Sequence, residues 1–241
     1  MSFTSWRGVV GVIKPTMGPG SLEELIRLLP EGVGMVPLYN DVREGRVEEF
    51  ASAIPAYESK VAVLAAHKVD LIHPEGTPPF MLLGYAGERK LLAQWQRKFG
   101  IPIFTSATNQ VRALKAMKIK KFIHVRGTTW DTKGVTARYF ADAGLTVHAA
   151  VRIQTAWENI GRVSPQMVYG EAKRAFLANP GADGIYIQGS GWRIMDVIEA
   201  LENDLQVPVI HPVAARCWEI QKRLHIREPV SGQGRLLAEM P

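Results

Sequence analysis

The chain has 241 residues, 46% of them hydrophobic and 22% charged, which fits one or two globular domains with a full core. No apolar run reaches the roughly 18 residues that span a bilayer, and the first residues do not read as a signal peptide, so no membrane partner is expected. The formal net charge of +6 is spread over predicted helix surfaces. This pattern disfavours a nucleic-acid partner and favours attraction of small acids.

The first half of the chain alternates short apolar strands with amphipathic helices. Ser21 is predicted to cap the first helix, and Pro55 is expected to bend or interrupt the second one. A third strand, around Leu71 and Ile72, stops at a proline and opens into a glycine turn. The strands are predicted at residues 7–15, 32–38, 69–74 and 101–104, and the helices at 22–29, 47–68 and 84–99.

The second half of the chain continues the alternation. Ser164 is predicted to cap a helix that has Pro165 at its first position, and Gly144 is predicted to follow the end of the helix before it. The strands are predicted at residues 122–127, 145–153, 184–187 and 207–210, and the helices at 109–117, 129–143, 165–179, 194–203 and 214–224.

The two halves repeat one another. Asp183 follows Asp70 by 113 positions, Gly189 follows Gly76 by the same interval, and Thr77 falls opposite Ser190. An eight-fold (β/α) barrel is the alternative for eight strands that alternate with eight helices, but the repeat argues against it. Each half therefore carries a glycine turn with a neighbouring hydroxyl at the end of a strand.

The predicted fold class is α/β, with two pseudo-symmetric, doubly wound lobes. Each lobe is predicted to hold a four-stranded parallel sheet with helices on both faces, and the active site is expected in the cleft between them. Residues 1–105 and 214–241 would form the first lobe and residues 106–213 the second, with crossing segments near Thr105 and Pro212 as hinges.

Cationic residues occupy matching strand ends in the two halves. Lys14, followed by Pro15, ends the first strand, and Arg126 ends the fifth, 112 positions later. Two cations, two glycine turns and nearby helix N-termini describe a site for carboxylates. Neither a phosphate-binding glycine loop nor the G-x-S-x-G turn of serine hydrolases is present, so nucleotide binding and serine hydrolysis are not indicated.

The sequence Asp-Gly-Ile-Tyr-Ile-Gln-Gly-Ser-Gly at residues 183–191 resembles the second-half motif of arylmalonate decarboxylases and maleate isomerases. These enzymes form a branch of the aspartate/glutamate racemase superfamily. The Gly76-Thr77 turn, the Val-Pro-Val-Ile run at 207–210, Trp218 and the tail at 232–237 also fit that branch. The resemblance covers nearly the whole chain.

The resemblance implies a cofactor-independent enzyme, without a metal, that decarboxylates or isomerises a small carboxylate or dicarboxylate through an enediolate. In the racemases of the superfamily each turn carries a cysteine; maleate isomerases use the first one as a nucleophile, and arylmalonate decarboxylases use the second one as a proton donor. The residues expected to bind the substrate carboxylate are Lys14, Pro15, Gly76, Thr77, Arg126, Thr128, Gly189, Ser190 and Gly191.

The chain departs from the family at both thiol positions, which are Gly76 and Gly189 here. The chain's one cysteine, Cys217, matches a packing position in the last helix, and one cysteine allows no internal disulfide or multi-cysteine metal site. This cysteine usage fits a cytoplasmic protein. Thr128 stands where the family has a pocket tyrosine, and Pro78 removes a backbone N–H from the first turn.

Glu75 and His211 are the predicted replacements for the missing proton carriers. Glu75 directly precedes the first glycine turn, and His211 ends the eighth strand with a side chain that titrates near neutral pH. Trp130, Trp157 and Trp192 could line a pocket for an aromatic substrate. A hydrolase or lyase that uses Glu75 or His211, and a non-catalytic carboxylate-binding protein, stay open as alternatives. The sequence does not decide whether the chain forms a homo-oligomer.

Overall fold

The computed structural model describes residues 4–18, 20–127, 131, 134–189 and 191–241. It contains two parallel sheets with helices packed against them, as predicted. The first sheet has the order β2-β1-β3 and consists of β1 (Gly8–Lys14), β2 (Val33–Tyr39) and β3 (Leu71–Pro74). The second has the order β5-β4-β6-β7 and consists of β4 (Lys121–Arg126), β5 (Thr146–Arg152), β6 (Gly184–Gln188) and β7 (Val209–Ile210).

Most strands of the two sheets are buried. Strands β1, β3, β4 and β6 are almost continuously buried, as expected for parallel strands that are covered on both faces. The edge strand β5 instead alternates between exposed and partly buried residues. Because the strands are parallel, their carboxyl ends share one edge in each sheet, and the two glycine turns begin there.

The predicted fourth strand of the first sheet is wrong as a full strand. Ile103 joins the sheet by a single bridge to Ile72, in which Ile72 N donates to Pro102 O and Phe104 N donates to Ile72 O. Pro102 and Pro74 have no N–H to extend this ladder. The first sheet therefore has three strands, and the second has the predicted four, although β7 is only two residues long.

The helices largely follow the predicted positions. Their bounds are α1 (Leu22–Leu28), α2 (Val47–Ala51), α3 (Ile54–Ala66), α4 (Thr77–Met81), α5 (Gly84–Phe99), α6 (Ser106–Ala116), α7 (Val135–Asp142), a 3₁₀ helix (Trp157–Arg162), α8 (Pro165–Ala178), α9 (Met195–Leu205), α10 (Pro212–Arg223) and α11 (Arg235–Glu239). None of the helices in the described ranges has the length and apolar content that crossing a bilayer requires.

The observed helices differ from the predicted ones in four respects. The predicted helix at 47–68 divides into α2 and α3, with Pro55 in the first turn of α3. The helix expected from 129 begins at Val135, since the Asp131 carboxylate accepts from Val135 N at 2.6 Å and Thr136 N at 3.2 Å. The first glycine turn leads into α4, a short helix that the sequence did not indicate. Ser21 makes no cap bond to α1.

Helix α10 is buried among other helices. Every residue from Pro212 to Gln221 is buried, and the helix packs against α1, α6 and α11. Two charged residues, Arg216 and Glu219, therefore lie inside the protein, where each requires a partner of opposite charge. Their partners determine the chemistry of two different depressions in the molecule.

Candidate active site

The two glycine turns line one cavity of about 470 Å³ at the strand ends of both sheets. Segments after β1, β2 and β3 form one side, and the end of β6, the 3₁₀ helix and the start of α10 form the other. The lining residues are Lys14, Pro15, Thr16, Met17, Gly18, Gly20, Ser21, Asp41, Val42, Arg43, Phe50, Glu75, Gly76, Thr77, Pro78, Trp157, Glu158, Ile160, Gln188, Gly189, Gly191 and Pro212. Most of the wall is apolar, while its buried charges lie close to the first turn.

The first turn is held by hydrogen bonds on both sides of Gly76. Its N–H donates to Ser106 Oγ at 3.1 Å, and the Tyr57 hydroxyl donates to the carbonyl of Glu75. Gly76 has a φ of +111°, and a β-carbon there would lie 2.9 Å from the Tyr57 hydroxyl oxygen. Glycine is therefore required at this position by both backbone conformation and space.

The second turn is closed to any side chain at residue 189. A β-carbon built on Gly189 would lie 2.2 Å from Cε3 of Trp192, whose indole is almost completely buried. The carbonyl of Gly189 accepts from Trp192 N at 2.8 Å and from His211 Nε2 at 3.1 Å. Trp192 thus fills the space beside the turn, and His211 fixes the direction of the Gly189 carbonyl.

A buried charge cluster forms the floor of the cavity beside the first turn. Glu75 Oε2 accepts from Arg216 Nη1 at 3.1 Å and from Lys14 Nζ at 3.4 Å, and Glu75 Oε1 accepts from Ser21 Oγ at 2.9 Å. Arg216 Nη1 also donates to Ser21 Oγ at 3.1 Å. The Ser21 hydroxyl is engaged in this cluster, which explains why it does not cap α1.

The cluster holds more positive than negative charge. Lys14 and Arg216 are 2% and 1% exposed, and they share the one carboxylate of Glu75. The neighbouring His73 is uncharged, because burial and the nearby Arg216 lower its pKa to about 3. Among the described residues this cluster therefore carries one positive charge without a counter-ion, on the cavity side where Lys14 lies.

The pKa values of Glu75 and Lys14 are both lowered in this cluster. Burial alone would raise the pKa of Glu75, but Arg216 and Lys14 outweigh it and lower this pKa to about 2. Burial lowers the pKa of Lys14, and Arg216 lowers it further, while Glu75 opposes both. Glu75 is therefore a permanent carboxylate, whereas Lys14 gives up its proton more readily than an ordinary lysine.

His211 is a buried neutral residue whose two ring nitrogens both bind backbone. Nδ1 accepts from Val213 N at 3.4 Å, so Nε2 carries the proton that is donated to Gly189 O. Burial lowers the pKa of His211 to about 4. His211 also precedes α10 as its N-cap, and it is absent from the cavity lining given above. These contacts describe a residue that positions the second turn.

The family model for arylmalonate decarboxylase matches residues 30–237. The chain belongs to the arylmalonate decarboxylase family. The arylmalonate decarboxylase of Bordetella bronchiseptica is 26% identical over 145 residues, so this chain spans 60% of the length of that relative, and the match covers 60% of this chain. The prediction of the arylmalonate decarboxylase and maleate isomerase branch is confirmed.

Solved structures of the same branch share the fold. The maleate isomerase Iso from Pseudomonas putida S16 superposes with a TM-score of 0.87 at 18% identity, over 97% of this chain and 99% of that one. A double mutant of arylmalonate decarboxylase, glycine to cysteine and cysteine to serine, in its liganded form gives a TM-score of 0.88 at 21% identity, over 96% and 99%. The Nocardia farcinica maleate cis-trans isomerase bound to TRIS gives 0.85 at 18% identity, over 96% and 98%.

Within this family member, the cavity brings together most of the predicted substrate-binding residues. Those that line it are Lys14, Pro15, Gly76, Thr77, Gly189 and Gly191. Arg126 does not, because it turns to Asp131 and donates from Nη1 to the Asp131 carbonyl at 3.2 Å. Thr128 and Ser190 lie outside the described residues. Thr77 also hydrogen-bonds Gln110 at 3.3 Å, which ties the first turn to α6.

The predicted pocket tryptophans and Cys217, where the structure describes them, lie partly in the cavity and partly in the core. Trp157 lines the cavity, Trp192 lies buried beside the second turn, and Trp130 lies outside the described residues. Cys217 is buried, donates from Sγ to Leu28 O at 3.3 Å, and has a pKa that burial raises to about 12. The described residues contain no group of three or more His, Cys, Asp or Glu side chains arranged to hold a metal ion.

Sequence reasoning missed the residues that support the turns. The sequence pattern places Arg216 in an ordinary last helix and predicts Ser21 as a helix cap. Arg216 nevertheless carries a signal, because it stands inside the otherwise apolar run of residues 212–218, where an unpaired cation would be costly. Tyr57 and Ser106 gave no such signal, since their hydroxyl contacts depend on how distant helices pack.

Proposed function

We propose that this protein is a cofactor-independent decarboxylase that acts on a small malonate-type dicarboxylate in the cavity between the two glycine turns. The observation that carries the proposal is the uncompensated positive charge of the Lys14–Glu75–Arg216 cluster at the cavity floor. A buried cation with no counter-ion attracts a carboxylate strongly, because little water competes for it. The family relationship supports the same class of substrate.

The walls of the cavity support a substrate with an apolar substituent. Val42, Phe50, Trp157 and Ile160 line it, and an aromatic or unsaturated group would be buried against them. The carboxylate that remains after the reaction would bind to Lys14 and the first turn. The carboxylate that leaves would lie against the apolar wall, where an ionised group is poorly solvated and loses carbon dioxide more readily.

Lys14 is the residue that we assign as proton carrier in place of a thiol. Loss of carbon dioxide leaves the electron pair of the broken carbon–carbon bond on an enediolate. The Lys14 ammonium would give its proton to the carbon atom of this enediolate, and the neutral amine would then take a proton from water. Arg216 continues to pair with Glu75 throughout, so deprotonation of Lys14 does not leave a buried carboxylate without a partner.

Glu75 and His211 are less suited to this step than Lys14. The pKa of Glu75, about 2, keeps it ionised, so it has no proton to donate near neutral pH. His211 uses both ring nitrogens for backbone contacts. The same properties disfavour a hydrolase or lyase that uses either residue as its acid or base. A maleate-type isomerisation is also disfavoured, since no thiol of the described residues lines the cavity.

The proposed function is tested by turnover in D₂O with phenylmalonate, methylmalonate and maleate as probes. We expect release of carbon dioxide from a malonate and one deuterium on the product carbon. Lys14→Arg keeps the charge but holds its proton too tightly to donate it, so turnover should fall about 100-fold or more, in the range of general acid catalysis.

Two controls keep the test informative. Lys14→Ala should be inactive and should regain part of its turnover when methylamine is added. His211→Asn, outside the cavity lining, should retain deuterium incorporation. Tight binding of phenylmalonate by the wild-type protein with no turnover of any probe would identify a carboxylate-binding protein and would refute the enzymatic proposal.

A further inference from the structure

A second depression lies away from the active-site cavity and is lined by three arginines. We call it the arginine groove and define it by Arg89, Arg112 and Arg223. It has a volume of about 500 Å³ and shares no lining residue with the active-site cavity. Its arginines come from α5, α6 and α10, so the groove lies where helices of both sequence halves meet. Among the residues that the structure describes, no carboxylate side chain lines it.

Two of the arginines are held in place by one buried carboxylate. Glu219 of α10 is fully buried; its Oε2 accepts from Arg112 Nε at 2.9 Å, and its Oε1 accepts from Arg223 Nε at 2.6 Å. Because both arginines bind through Nε, their Nη amino groups stay available to a ligand. In the described part of the chain, the Nη atoms of Arg112 and Arg223 donate to no hydrogen-bond acceptor. The Arg223 guanidinium also stacks over the Phe104 ring, with 5.2 Å to the centroid.

The third arginine completes the groove without an acidic partner. The Arg89 guanidinium lies 5.7 Å from the centroid of the Tyr85 ring, and its side chain forms no ion pair within the described residues. Gln96 lines the same groove and uses its Oε1 to accept from Ile103 N at 3.2 Å. Its amide NH₂ group is therefore a further donor. The groove presents several N–H donors, and its lining within the described ranges contains no carboxylate.

The charge balance identifies the class of ligand. Three guanidinium groups against the single carboxylate of Glu219 leave two positive charges, which match the charge of about −2 on a phosphate monoester. Guanidinium groups bind phosphate oxygens in pairs, and three of them can surround a tetrahedral group that has three terminal oxygens. We propose that the arginine groove is a binding site for a phosphorylated small molecule. This proposal does not depend on the reaction that the active site performs.

The experiment is a calorimetric titration of the full-length protein with inorganic phosphate and with glycerol 3-phosphate, at constant ionic strength. Malonate serves as the carboxylate comparison. We expect saturable binding of glycerol 3-phosphate, and loss of about tenfold in affinity or more in Arg89→Gln, because one charge-assisted contact is removed. Arg89 is the principal variant, since it pairs with no acid and its replacement leaves Glu219 intact. Arg223→Gln should weaken binding to a similar extent.

Matched controls separate this site from other sources of binding. Arg174 is an exposed arginine on α8 that pairs with Glu171, and Arg174→Gln should leave the affinity for glycerol 3-phosphate unchanged. Lys14→Met removes an active-site cation, and binding at the groove should survive it. Equal affinities in wild type and Arg89→Gln, or malonate binding at the groove as tightly as the phosphate ester, would overturn the proposal. A further contrary result is that the protein sediments with phosphatidylglycerol vesicles, loses this ability in Arg89→Gln, and binds neither soluble probe. That result would show that the groove binds a lipid headgroup, and it would also overturn the proposal.

Discussion

The Trp192 indole occupies the space that a side chain on Gly189 would need, with only 2.2 Å between Cε3 of Trp192 and a β-carbon built at position 189. The resemblance to arylmalonate decarboxylases implies a thiol at this position, and the packing of Trp192 leaves no room for one here. A restored cysteine would force the indole to move. The two positions must therefore be changed together for a thiol to fit.

Gly189→Cys alone is expected to destabilise the protein. Overpacking of a filled site typically costs about 1–3 kcal/mol in the free energy of unfolding, which denaturant titration measures. Gly189→Cys combined with Trp192→Ala should bind phenylmalonate more tightly than Gly189→Cys alone, since the thiol then has room beside the turn. Gly170→Ala is the matched control, because a β-carbon built on Gly170 in α8 would meet no atom within 4 Å beyond its own helix backbone and chain neighbours. A single cysteine variant as stable as wild type would contradict this packing.

Glu75→Gln is expected to destabilise the protein strongly. Lys14 and Arg216 would be left as two buried cations without a carboxylate, and breaking a buried ion pair typically costs about 3–5 kcal/mol. Glu171→Gln, which breaks an exposed pair with Arg174, should change stability by less than about 1 kcal/mol. Comparable losses in the two variants would show that the buried cluster contributes little.

Acid unfolding should report on the same carboxylate. The pKa of Glu75 is about 2 in the folded protein against a reference value of 4.5, so the folded state favours its ionised form. The stability that Glu75 contributes is fully present above about pH 4.5 and is lost as the pH falls towards 2. Denaturant titrations across this range should show that loss in the wild-type protein. The part of the slope due to Glu75 should be missing in Glu75→Gln.

Glu88 should produce a pH dependence of opposite sign. Its carboxyl is buried between the hydroxyls of Thr105 and Tyr139, and burial raises its pKa to about 7. Between pH 4.5 and 7 the unfolded chain ionises this group while the folded protein keeps it protonated, so stability falls as the pH rises. Glu88→Gln should flatten that decline in denaturant titrations. An unchanged slope would show that Glu88 is ionised in the folded state.

The sequence was sufficient for the sheets and the turns but not for the contacts between them. Apolar strands such as residues 184–187, together with the 113-residue repeat, identified two parallel lobes and the two glycine turns. The prediction of a fourth strand in the first sheet was wrong, because the apolar pattern at 101–104 does not show that Pro102 and Pro74 interrupt the hydrogen-bond ladder with β3. Strand prediction depends on hydrogen-bond partners as well as on apolarity.

The sequence indicates which residues lie at strand ends, but it does not indicate which charged side chains pair with one another. Lys14, Gly76 and Gly189 follow directly from strand ends, whereas the pairing of Glu75 with Arg216 joins positions 141 apart in the chain. The residue types of Glu75 and His211 favour a role in proton transfer. Their environments fix Glu75 as an anion and His211 as a neutral donor to Gly189, and only the packed structure reveals those environments.

The most direct test of the central claim is the binding of phenylmalonate, measured by stopped flow before turnover, to the wild-type protein and to Lys14→Met at pH 7. The claim is that the positive charge at the cavity floor holds the substrate carboxylate. We expect Lys14→Met to lose about 30-fold or more in affinity, as one charge-assisted contact is removed, while the neutral dimethyl ester binds both proteins equally weakly. If a folded Lys14→Met protein binds phenylmalonate as tightly as the wild-type protein does, the buried cluster does not bind the substrate carboxylate and the proposed function fails with it.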